Sequence, residues 1–103
     1  MAKEINNFQQ AKGVVTVSGV YLEAWRVCSI DFKKIEDLSE EQKLLKYYDI
    51  SFSEDNENYI ILLAGKILSD EDAKRFNRII MGRETQYWVD KKTFKVNKRL
   101  FFK

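Results

Sequence analysis

The chain has 103 residues, 45% of them hydrophobic and 14% aromatic, with one cysteine, no histidine, no proline and a formal net charge of +2. That is apolar material for one core, at the length of one domain, without metals or disulfide staples. A lone Cys28 excludes an internal disulfide, and the lack of histidine removes the side chain most used for acid–base work near neutral pH, with every serine–histidine or cysteine–histidine pair.

Between Val14 and Ile35 the apolar positions Val14, Val17, Tyr21, Ala24, Trp25, Cys28, Phe32 and Ile35 keep a three-and-four spacing that places them along one helical face. The spacing predicts an amphipathic helix, firmest from Val20 to Lys34. Its first part is open to a second reading, because Gly13 and Gly19 bracket a β-branched run, Val14-Val15-Thr16-Val17, that also suits extended chain. Cys28 falls on the apolar stripe and reads as a small core residue rather than a nucleophile. In Leu38-Ser39-Glu40-Glu41-Gln42, Ser39 and Gln42 have the chemistry of a reciprocal helix cap, predicting a short helix over Glu40 to Lys46. The period then changes to two: Tyr48, Ile50 and Phe52 alternate with Asp49, Ser51 and Ser53, as in a half-buried strand. After a polar turn at Glu54-Asp55-Asn56-Glu57-Asn58, Tyr59 to Leu63 is apolar in both phases, as in a strand covered on two sides.

Ser69 followed by Asp70, Glu71 and Asp72 opens a segment whose Ala73, Phe76, Ile79 and Ile80 share a face, and Gly82 stands where a helix ends; the pattern predicts a helix over Asp70 to Met81. Thr85 to Asp90, a turn at Lys91-Lys92-Thr93, and Phe94 to Phe102 with Phe94, Val96, Leu100 and Phe102 in phase predict a closing hairpin, the clearest strand signal in the chain. No repeat, low-complexity stretch or linker interrupts residues 1–103, which are read as one domain. Helices and hairpins without regular βαβ alternation predict an α+β domain with helices packed on one face of an antiparallel sheet. The aromatic content further favours helices over both sheet faces, with Trp25, Phe32, Phe52, Tyr59 and Phe76 in the core.

Chemistry-bearing motifs are few. One cysteine and no histidine do not make a zinc set, no Asp-x-Asp-x-Asp-Gly loop offers calcium ligands, and glycines at 13, 19, 65 and 82 are too scattered for a phosphate-cradling loop. The carboxylate pairs Glu40/Glu41 and Glu54/Asp55 fall in turns or helix starts, where capping and solvation account for them. Hence no catalytic residue, cofactor or metal is expected, and no enzyme activity. No run reaches the ~18 apolar residues of a membrane helix, so no membrane insertion is expected. Met1-Ala2-Lys3-Glu4-Ile5-Asn6-Asn7 lacks the layout of a signal peptide, but removal of a leader would leave the same start, so cytoplasmic and exported locations both stay open.

Three stretches carry a resemblance: Leu38 to Gln42 running on to Tyr48-Asp49-Ile50-Ser51-Phe52-Ser53-Glu54-Asp55, then Asn58-Tyr59-Ile60-Ile61, then Tyr87-Trp88-Val89-Asp90-Lys91-Lys92-Thr93. Over residues 38–97 the chain resembles small bacterial domains of the cystatin-like type, including PepSY-like modules and NTF2-fold immunity proteins. The resemblance implies a helix on a curved antiparallel sheet and a binding or immunity role. The chain departs from that pattern at Phe94, where glycine commonly takes a left-handed turn position, and in the helical insertion near Asp70 to Met81.

The leading expectation is a non-enzymatic protein-binding module, an inhibitor or immunity protein that occludes a partner. Residues 36–57 hold eight acids against two lysines, so Glu54, Asp55 and Glu57 are candidates for steering a basic partner. Tyr47 is out of phase with Tyr48, and Trp88 with Tyr87 and Val89, so Tyr47 and Trp88 are candidate outward anchors, with Arg99 beside them. The alternative is a nucleic-acid-binding module: residues 71–103 carry ten Lys/Arg against four Asp/Glu, with Tyr87, Trp88 and Phe94 as stacking surfaces. A homodimer is compatible with either.

Overall fold

A computed structural model describes residues 12–102. The leader question at residues 1–7 lies outside them. Helix α1 spans Gly19–Lys33, two 3-10 turns follow at Glu41–Lys43 and Leu45–Tyr47, and strands β1 (Tyr48–Glu54) and β2 (Asn58–Gly65) form the first hairpin. Helix α2 (Asp70–Phe76) precedes the second hairpin, β3 (Thr85–Asp90) and β4 (Val96–Phe101). The four strands make one antiparallel sheet in the order β1-β2-β3-β4. This is the expected α+β class, with helices packed against an antiparallel sheet.

α1 starts a turn later than the apolar stripe. Val14, Val15 and Val17 lie before it and are exposed, because the β-branched run stays out of the helix and Gly19 begins it. Within α1, Ala24, Cys28 and Phe32 are buried at a four-residue spacing against β2 and β3, and Ile35 and Leu38 extend the line past the helix end. The reciprocal cap forms as the sequence predicts, with the Gln42 amide donating to Ser39 Oγ at 3.2 Å and the Ser39 amide to Gln42 Oε1 at 2.9 Å. It opens only 3-10 turns, because Leu44 is extended at ψ 121° and interrupts the expected helix. Ser69 caps α2 by accepting from the Asp72 amide at 3.2 Å. α2 ends at Phe76 rather than Met81, because Asn77 takes the left-handed conformation (φ 54°) and serves as the stop expected of Gly82.

Gly82 has another task. A β-carbon there would sit 2.6 Å from the Tyr48 ring, and one on Gly65 would sit 2.6 Å from the Gly82 carbonyl oxygen. The chain returning from α2 thus presses against the end of β2 backbone to backbone. The Tyr48 hydroxyl fixes the crossing, donating to the Gln42 carbonyl and accepting from the Arg83 amide at 3.0 Å.

Alternation gives the sheet two faces. On the α1 side, register aligns Ile50, Leu63, Thr85 and Phe101 in one row and Phe52, Ile61, Tyr87 and Arg99 in the next. Ile61, Leu63, Thr85, Tyr87 and Val89 are fully buried there. On the other side lie Ser51, Leu62, Gln86 and Leu100 in one row and Ser53, Ile60, Trp88 and Lys98 in the next. No described helix covers this outer face, and Ile60, Leu62, Trp88 and Leu100 stand outside the packed cluster. The expectation of helices over both faces is not met; β2 is apolar in both phases but buried in one.

Candidate functional site

The acidic candidates are largely occupied by internal work. Glu54, at the end of β1, accepts from Tyr21 Oη at 2.8 Å and from Lys91 Nζ at 2.9 Å; the ammonium, and then the hydroxyl, hold its carboxyl below the usual range. Asp55 Oδ1 accepts from the amides of Asn58 at 2.7 Å and Glu57 at 2.9 Å, which closes the β1–β2 turn and lowers its pKa. Only Glu57 projects freely, with no side-chain hydrogen bond or ion pair among the described residues.

Tyr47 is not an outward anchor. It is 6% exposed, its ring meeting Phe76 edge-on at 6.4 Å, while Tyr48 turns to the other side against Phe32 at 5.4 Å. Both members of the pair are buried because the segment is wedged between the sheet end and the α2 excursion. Arg99 is also misplaced as an open-face residue. It lies in the row facing α1, where Asp31 Oδ2 accepts from Arg99 Nη1 and from Tyr87 Oη, each at 2.7 Å. Burial, and then this bond, push the Tyr87 phenol up, so the cluster clamps helix to sheet and holds its proton. Cys28 is fully buried, and burial pushes its thiol up to about 12.

Trp88 does face away from α1. The cation over its ring is Lys98, its cross-strand partner, with Nζ 4.9 Å from the ring centroid. A β-bulge between Trp88 and Val89 sets this arrangement: Val96 pairs with Val89 on the covered side, and Lys98 and Leu100 then fall on the outer side. The predicted common phase of Phe94, Val96, Leu100 and Phe102 is broken by it. Phe94 itself lies in the turn at φ 54°, its ring 5.6 Å from Tyr59, so the left-handed position is occupied by phenylalanine.

The six sequence candidates are therefore dispersed. Glu54, Asp55 and Glu57 share one turn, Trp88 lies on the outer face, Tyr47 is buried, and Arg99 is tied to Asp31 at the exposed edge of the α1 side. The sequence reading missed Ile60, Leu62, Leu100 and Lys98, which the sheet brings around Trp88. Their signal was present in β2, whose second apolar phase needs a cover that no described segment supplies.

Comparison with family models, with curated proteins and with solved structures found no match for the chain. Among the described residues no cluster of three or more potential metal ligands forms, and no helix is long and apolar enough to cross a membrane.

Proposed function

We propose that the chain is a non-enzymatic protein-binding domain, of the inhibitor or immunity type, that docks a partner protein on the outer face of its sheet. One observation carries this reading: Ile60 with Leu62 on β2, Trp88 paired to Ile60 on β3, and Leu100 diagonal to Trp88 on β4 share one face, outside the core cluster and under no described element. Ile60, Leu62 and Trp88 are half-buried and Leu100 is exposed, so a partner would supply the remaining part of the ~1.5–3 kcal/mol that fully burying an aliphatic side chain is worth. Polar Ser51 and Ser53 border it on β1, and Gln86 stands within it between Leu62 and Leu100, so the patch has a polar rim on its β1 side.

Charge names the partner's chemistry. Of the acids in phase with this face, Asp49 is 3.6 Å from Lys66 Nζ, and Asp90 accepts from the Lys92 and Thr93 amides in the turn. Lys98 has no carboxylate within ion-pair distance among the described residues. The complement is an apolar patch with acidic residues at its edge, rather than the basic partner suggested by the acidic segment. Single-stranded nucleic acid fits less well, because the patch is mainly aliphatic and its one aromatic ring already carries a lysine.

The test is affinity capture from the source cell with the wild-type chain, two outer-face variants and one variant in the acidic turn. A partner retained by wild type and by Glu57→Lys, but weakened at least about tenfold by Leu62→Lys and by Lys98→Glu, supports the reading. Loss with Glu57→Lys while Leu62→Lys still binds would move the site to the acidic turn. Recovery of nucleic acid alone would favour the alternative function. Capture restored only when residues 1–11 are deleted would make those residues the face's own cover.

A further inference from the structure

At the end of the sheet where β2 meets the chain returning from α2, there is an open cleft of about 590 Å³, within the ~300–1,000 Å³ typical of small-ligand sites. Ala64, Ile80, Met81 and Phe102 give it apolar walls, and Arg78 and Arg83 line it as well. Its base is the close backbone approach of Gly65 to Gly82, where either glycine's β-carbon would collide with its neighbours. The cleft is thus a product of two side-chain-free positions.

The two arginines are held rather than free-ranging. Arg83 is anchored by its amide on Tyr48 Oη, and its guanidinium lies 4.0 Å from the Phe101 ring centroid. Arg78 Nη1 is 3.7 Å from Met81 Sδ, and its amide bonds the Ala73 carbonyl at 3.2 Å behind the left-handed Asn77. Neither guanidinium has a carboxylate within ion-pair distance among the described residues. Glu84 is the one acid on the walls, so the lining is net cationic. A guanidinium presents a fork of donors matched to a carboxylate, and apolar walls favour a group that carries hydrocarbon beside the charge.

We propose that this cleft binds a carboxylate attached to an apolar group. Two sources share that chemistry, a small free acid and the carboxyl end of a peptide chain. The site stands apart from the sheet-face reading, although Ala64 lies in phase with Leu62 and Ile60, so a partner seated on the face has a path to it.

Titration of the whole chain followed by backbone-amide NMR decides it, with N-acetyl-leucine as the peptide-end probe, hexanoate as the free acid and N-acetyl-leucinamide as the uncharged control. Saturable shifts centred on Gly65, Gly82 and Arg83, with a Kd on the order of 1 mM for ligands this small, are expected for one or both acids. The tighter acid identifies the source. Arg78→Gln and Arg83→Gln, each exposed and confirmed folded by an unchanged spectrum elsewhere, should together weaken binding at least about tenfold. Trp88→Ala should leave it intact even where it abolishes partner capture, which separates failure here from failure of the sheet-face reading. Equal shifts from N-acetyl-leucinamide, undiminished binding by the double variant, or no saturable shift with either acid overturns the proposal.

Discussion

The two sides of β2 are built from the same residue types and meet different surroundings. Ile61 and Leu63 are fully buried beneath α1, whereas Ile60 and Leu62, their chain neighbours, look out from the opposite face. Hydrophobicity specifies that a side chain gains by leaving water, and topology decides whether the cover comes from within the chain. Among the described residues one layer of helix covers a two-faced apolar strand, and the surplus is what makes the outer face a candidate interface.

The widest separation between the faces should appear in stability. Leu63→Ala removes a fully buried side chain and should cost ~2–5 kcal/mol, while Leu62→Ala on the outer face should cost less than about 1 kcal/mol. Denaturant melts of the two variants measure this directly, and equal losses would mean that the outer face is as closely packed as the inner. Next in size is the clamp on the covered side. Asp31→Asn leaves Tyr87 and Arg99 without their shared carboxylate and should cost ~1–3 kcal/mol in the same melts, with no effect on partner capture. The smallest effect is at the turn joining β3 and β4. Phe94→Gly relieves the left-handed backbone and loses the contact with Tyr59, whereas Phe94→Ala loses the contact and keeps the strain. The glycine variant should be more stable than the alanine variant by about 1 kcal/mol.

Much of the architecture was legible because it follows from local rules. The Ser39/Gln42 cap, the Ser69 cap, the period-two pattern of β1 and the closing hairpin each announce themselves in a few adjacent residues. What failed depended on single residues that override a pattern. Asn77 stops α2 early, Leu44 breaks the helix after the Ser39 cap, and one bulge residue moves Leu100 to the opposite face from Val96. The proposed binding surface is harder to read still. The phase of Trp88 marks it as outward-facing, but its companions come from β2 and β4 through pairing that no local spacing encodes. Conversely, Tyr47 and Arg99 looked available because their tertiary partners, Phe76 and Asp31, are distant in sequence.

Placing a photoreactive p-benzoylphenylalanine at position 62, with position 57 as the reference, and irradiating in the source cell tests the outer face most directly. An adduct with one other protein at 62, carried on an acid-edged surface and missing at 57, is the predicted result. No adduct at 62, an adduct at 57 alone, or a product at twice the chain's own mass would contradict the claim that this sheet face receives a different protein.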